Sequence, residues 1–215
     1  MTYMMQSDEG ILLEVRKAGE GGRKVRLFSR QSGALTGFIS RAVLSRWGTG
    51  VLFPYAHIRY SAVRRGDMTV LTQYEGRRSM DFLSMEYGDI TRWYYAAEIV
   101  LRFFPEGEAD GTAYALLSAA ARCGMSRNPA VTAMILSVQL LAAAGFDPAE
   151  EEPMEALRCG GEARPLVTAL RRYRWEGPLG AAVRKRAFEE AARYLDAFIA
   201  RCGVEMKTAG AFLMP

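Results

Sequence analysis

Histidine is almost missing from this chain of 215 residues: His57 is the only one. A Ser/His or Cys/His dyad would need it, and nothing beside it marks a nucleophile. A lone histidine inside a strand-like run reads as structural. Cysteine is scarce too. Cys123, Cys159 and Cys202 are odd in number, widely spaced and without a CxxC pair. That supports neither a disulfide framework nor an intact four-cysteine zinc site, and fits a reducing compartment. No Gly-rich loop runs into Lys-Ser/Thr; "GEGGR" at 19–23 lies between two strand-like runs and opens no helix. The carboxylates of "AEEEP", 149–153, show no metal-ligand spacing. These absences speak against an enzyme, and neither metal nor cofactor is expected. The opening "MTYMMQSDEG" carries acids where a secretory leader needs cations. The most apolar run, "AVTAMILSVQLLAAAGF", is shorter than the ~20 residues a membrane span wants. It reads as a buried core helix of a cytoplasmic protein, started by Asn128-Pro129 and stopped at Gly145.

What is present is a sizeable apolar content, 50% of the residues, and an uneven charge. Residues 1–80 carry 13 Lys/Arg against 6 Asp/Glu, residues 81–160 carry 5 against 12, and residues 161–215 carry 10 against 6. Two basic ends flank an acidic middle. Such segregation suggests a polyanionic partner, nucleic acid or an anionic membrane; chance grouping of solvated charges is the bland alternative.

The first 75 or so residues read as β. "GILLEVRKA", "KVRLFSR" and "ALTGFIS" are strands joined by "GEGG" and "QSG". "RAVLSRWGTG" reads as a loop. "VLFPYAHIRYSAV" is a long strand interrupted at Pro54, "RRGD" a hairpin turn and "MTVLTQYE" the fifth strand. Five short strands suggest a small barrel, with Gly33 and Gly37 helping it bend. After Arg78 the apolar period becomes helical, as in "DITRWYYAAEIVLRFF" and "TAYALLSAAARCG". "DPAEEEPMEALRCGGEARP" reads as a charged connector, "LVTALRRYRW" as a short basic helix, and "AAVRKRAFEEAARYLDAFIARCG" as an amphipathic helix with i,i+4 ion pairs. The fold class is therefore α+β, strands then helices: a five-stranded barrel over 1–80 and an all-α domain over 81–215, with a connector near 147–164.

Strand alternation places Lys24, Arg26, Phe28 and Arg30 on one face, with Val25 and Leu27 on the other. Cations interleaved with an aromatic suit single-stranded nucleic acid: the cations meet phosphates and the ring stacks on a base. Lys17, Arg23, Arg41, Arg46, Trp47, Arg64 and Arg65 lie in adjoining strands and turns. A five-stranded barrel with a cationic face is the OB-fold pattern for oligonucleotide binding. A half-exposed sheet with Lys/Arg guarding its edges has the same pattern, with Phe28 in the core. Near the end, "RRYRW" gathers Arg171, Arg172 and Arg174 around Tyr173 and Trp175. It reads either as a second basic binding region or as a solvated helix face with its rings inward. Lys207 lies just before the chain end.

The order of segments resembles the RecO recombination-mediator family of bacteria. "ILLEVRKAGEGGRKVRLFSRQSGALTGFISRA" is similar to the family's opening strand, turn and "lFtre.G.l" strand pair. "GVLFPYAHIRYSAVRRGDMTVLTQYE" resembles its "L.Pf…..y…g.l.tL.qaE" segment. "NPAVTAMILSVQLLAAAGFDP" resembles the helix ending in "LLa.lGy.P", and "ARYLDAFIARCGVEMKTAGAFL" the closing "yl…lg..lkS..fL", with Thr208 where Ser is usual. The resemblance implies an N-terminal OB-fold on a helical domain. It also implies a non-catalytic function: binding single- and double-stranded DNA, annealing strands, and helping to load RecA, together with RecR, onto strands coated by single-stranded-DNA-binding protein (SSB). Two departures stand out. Many members carry a CxxC…CxxC zinc module after the core helix; here only Cys159 remains, so no zinc is expected. Arginines that can serve the acidic SSB tail near the start of that helix are replaced by "AVTAMILS", with Arg122 and Arg127 nearby. The SSB tail contact then falls away or uses other cations. A protein-interaction adaptor of the same fold that has lost DNA binding is the alternative function.

Overall fold

The computed structural model describes residues 5–77, 84–123, 128–179 and 183–214. Five strands, β1 (Met5–Ala18), β2 (Gly22–Ser29), β3 (Gly33–Ile39), β4 (His57–Arg65) and β5 (Met68–Arg77), form a closed barrel in the order β1-β2-β3-β5-β4. Closure depends on the length of β1. Its first half, Met5–Ile11, pairs with β4, and its second half, from Gly10 to Ala18, pairs with β2. A register shift between Leu12 and Glu14 bends the strand between these partners. There Leu12 exchanges backbone hydrogen bonds with Tyr55 and Ala56. Among the strands of the described residues, the one parallel pair is β3–β5, over Gly37–Ile39. A side chain at Gly37 would begin 2.5 Å from Leu71 Cδ1, so the glycine lets the sheet curl inward.

The expected loop at 41–50 contains a helix, α1 (Arg41–Trp47). Ser40 caps its start by accepting from Val43 N, and the Gly48 amide closes its end on Leu44 O. Both signals are local, but seven residues hold too little periodicity to be read as a helix. Leu44 is buried with Leu12, Val25, Leu27, Ile39, Ile58 and Leu71 inside the barrel. Each such burial is worth ~1.5–3 kcal/mol. The strand expected from Val51 starts only at His57, because Tyr55 takes a φ of 60° after Pro54.

The helices are α2 (Tyr87–Phe103), α3 (Gly111–Cys123), α4 (Pro129–Ala143), α5 (Glu151–Ala156), α6 (Ala163–Arg172) and α7 (Lys185–Arg201), followed by a 3-10 turn at Ala211–Leu213. The structure divides into two compact units. One contains the barrel with residues 104–122; the other contains residues 85–103 and 123–215. In the first, Phe104 packs edge-on against Phe28, and Gly107 N donates to Ala34 O beside it. Gly33 has a φ of 65° and no room for a side chain against the Glu108 carbonyl, so only glycine admits this segment. In the second unit, α4 is buried from Thr132 through Leu141. The charged connector holds α5, whose first turn carries Glu151 and Glu152 where the helix dipole favours anions. Among the described residues, no helix is long and apolar enough to cross a membrane. The onset of helical period after Arg78, Gly124, and the start of the last helix at 181–182 lie outside the described residues.

Candidate nucleic-acid interface

The β1–β2 hairpin brings cations together in a way that costs stability. Arg16 lies directly opposite Lys24, and Lys17 directly opposite Arg23. Like charges in direct register repel. One carboxylate answers them: Glu14, which accepts from Arg16 Nε at 2.7 Å. The outward parity carries across the sheet. Lys24 faces Phe38, and Arg26 faces Thr36, on β3. Lys24, Arg26 and Arg64 line one open groove of about 890 Å³ with Thr36, Phe38 and Met68. Two acids share it, Asp67 and Glu106; Thr36 donates to Glu106 at 2.6 Å, which ties that carboxylate to the sheet. The groove therefore presents cations beside a half-buried aromatic ring. That pairing can track a phosphate backbone and stack a base.

Phe28 is not that ring. It keeps the parity expected of it, but it is fully buried, with Phe104 against it at 5.6 Å between centroids. Parity is set by the strand; the cover arrives from residue 104, 76 positions along the chain. Sequence reasoning passed over Phe38, which occupies the outward position beside Lys24, and Arg16, which completes the cation pair. Alternation in "ALTGFIS" places Thr36 and Phe38 on one face; their pairing with Arg26 and Lys24 depends on register and is not local information.

Arg30 also leaves the expected stripe. It donates to Glu9 Oε1 at 2.7 Å, and this bond holds the Glu9 carboxyl below its usual range. It lines a second depression with His57, Arg77, Tyr114 and Arg122 rather than the groove of Lys24. His57 Nε2 lies 2.9 Å from the Tyr114 hydroxyl and 3.7 Å from Glu9 Oε2, a part-buried polar contact and no nucleophile pair. Burial pushes the Tyr114 hydroxyl up to about 12. Lys17 is exposed and Arg23 half-buried on the inward parity of the hairpin. Arg41 and Arg46 are exposed at the two ends of α1, and Arg64 and Arg65 are exposed at the end of β4.

The remaining candidates belong to the other unit. Arg171 donates to Asp147 Oδ2 at 2.7 Å, which offsets much of its charge. Arg172 and Arg174 are exposed. The rings of "RRYRW" are used structurally. Trp175 Nε1 donates to Gln139 Oε1 at 2.6 Å, and Gln139 Nε2 donates to Tyr173 O at 2.6 Å and Leu170 O at 3.0 Å. This buried glutamine on α4 turns the chain back at a Trp175 φ of 64°. Lys207 is exposed, and its amide donates to Glu98. Thr208 N and its hydroxyl donate to the same carboxylate at 3.0 and 2.8 Å. A hydroxyl is what position 208 supplies, and serine would supply it equally. Among the described residues, no three of His, Cys, Asp or Glu are grouped to hold a metal ion.

Residues 2–80, which include the five barrel strands, match the family model described as the N-terminal domain of recombination protein O. A curated relative, the DNA repair protein RecO of Pelotomaculum thermopropionicum, is 26% identical over 146 residues. The match covers 66% of this chain and 56% of the relative, so the chain spans little more than half of that protein's length. Both matches are to RecO proteins, and the matched N-terminal segment holds the closed five-stranded barrel, a fold consistent with an OB-fold.

Proposed function

We propose that this chain, by its matches a RecO-type protein, is a non-catalytic, DNA-binding mediator of recombinational repair. The outward cation pair carries this reading. A hairpin that sets Arg16 against Lys24 is relieved when a phosphate enters between them. The adjoining groove of Lys24, Arg26 and Arg64 extends the phosphate track, and Phe38 supplies the stacking surface. Cations that screen two strands at once lower the repulsion that keeps complementary strands apart, so annealing follows without a bond made or broken. RecR is the partner, RecA benefits indirectly, contact with the SSB tail falls away or uses cations other than the family's, and the setting is the bacterial cytoplasm at the nucleoid. Of the two arginines noted for the SSB tail, Arg122 lines the depression of Arg30, and Arg127 lies outside the described residues. The cation beside the start of α4 is instead Lys185, in an apolar groove with Val131, Ile135 and Phe188. That groove is what favours the second reading, an adaptor that binds proteins alone.

Fluorescence anisotropy of a labelled single-stranded oligonucleotide separates the two. The mediator binds tightly at low salt, and K24E/R26E weakens it at least about tenfold. No binding at low salt by folded wild-type protein leaves the adaptor.

A further inference from the structure

A third depression in the barrel unit, of about 470 Å³, differs in chemistry from the cationic groove. Its floor contains the buried Tyr60 and Tyr74; Trp47, Arg59, Gln73 and Glu75 line it and are exposed. Trp47 is the last residue of α1, and the residue is 42% exposed, although a large apolar side chain gains by burial. The next residue is anchored, because the Tyr74 hydroxyl donates to Gly48 O. The Arg46 guanidinium lies 5.6 Å from the centroid of the Trp47 ring without itself lining the depression.

Arg59 and Glu75 lie directly opposite each other on β4 and β5. Among the described residues no ion pair joins them. An unjoined guanidinium and carboxylate side by side present a fork of donors next to a pair of acceptors. Gln73 donates to Ser61 Oγ at 2.9 Å, which leaves its amide oxygen as a further acceptor. Phosphate is the wrong ligand here, because Asp8, Glu9 and Glu75 outnumber Arg30 and Arg59. Of the four DNA bases, only guanine has two adjacent acceptors, O6 and N7, together with two adjacent donors, N1–H and the N2 amino group. It alone satisfies both forks bidentately.

We infer that this depression is a guanine pocket: a base turned out of single-stranded DNA stacks on Trp47, with its acceptor edge on Arg59 and its donor edge on Glu75. The pocket rests on the DNA-binding reading above and adds base selectivity to a face whose phosphate contacts have none.

Two measurements test it. In the first, anisotropy compares an all-thymine oligonucleotide with one carrying a single central guanine. Wild type favours the guanine oligonucleotide by about tenfold, the discrimination of one good bidentate pair, and E75Q brings the ratio close to one. In the second, 2′-deoxyguanosine monophosphate quenches the exposed tryptophan of the wild type, thymidine monophosphate does not, and W47L removes the quench. Thymine binding without a guanine preference and without a selective quench overturns the pocket and leaves the mediator reading standing. A preference for adenine or cytosine overturns it too. A selective quench with no oligonucleotide bound leaves a site for the free nucleotide, overturns it as a pocket for a DNA base, and removes the mediator reading.

Discussion

Two phenylalanines on neighbouring strands have opposite uses. Phe28 is fully buried, edge-on to Phe104, so F28A leaves a cavity and costs ~3–5 kcal/mol of stability. Any folded fraction keeps its oligonucleotide affinity. Phe38 is half-buried in the groove beside Lys24, so F38A barely moves the melting temperature. It weakens single-strand binding by ~1–3 kcal/mol, the worth of one stacked base. Chemical denaturation and anisotropy on the two variants separate these roles; loss of binding in folded F28A with none in F38A reverses them. Alternation read from the residues places Phe28 outward correctly as far as the strand goes. The ring that covers it comes from a distant segment, which no local period reports.

At the scale of elements, the closing segment is held by two carboxylates of the helical unit. Glu98 accepts from Lys207 N, Thr208 N and the Thr208 hydroxyl; Asp196 accepts from Tyr95 and Gly210 N. Burial pushes the Glu98 carboxyl up, but the hydrogen bonds from Lys207 and Thr208 outweigh it and bring the group below its usual 4.5. A carboxyl whose pKa is lower folded than unfolded stabilises above the unfolded value. Its contribution is lost as pH falls through the folded one. The protection factor of the Thr208 amide, its exchange relative to an unstructured chain, should therefore be full at neutral pH and fall as pH drops below the usual 4.5 in wild type. T208S keeps that protection and T208V loses it already at neutral pH. Equal protection in T208V and T208S removes the hydroxyl from the account. The short helix α1 is a different lesson. Ser40 and Gly48 cap it, but seven residues in a row with two arginines read as a loop.

At the scale of the whole molecule, charge decides behaviour in solution. On the proposed reading the basic hairpin and groove release counterions as they bind a strand, so log K should fall linearly with log salt by ~0.7 per phosphate neutralised on single strands. Lowering the charge at Lys24 and Arg26 by K24Q/R26Q should flatten that slope by roughly one to two. R171Q should leave it unchanged, because Arg171 is already paired with Asp147. A titration of affinity against salt for the three proteins checks this; a slope unchanged in K24Q/R26Q takes the groove out of the binding surface.

The residues by themselves determined the period of the five strands and of the longer helices, though not of α1 or α5, and a basic end ahead of an acidic middle. These are legible because side-chain direction follows from backbone geometry a few residues at a time. The tertiary structure alone decided which outward positions are free. It covered Phe28 with Phe104, paired Arg30 with Glu9 and Trp175 with Gln139, and brought Phe38 beside Lys24 and Arg59 beside Glu75. The reason is that register and cover are set where distant segments meet, and no spacing along the chain encodes that meeting.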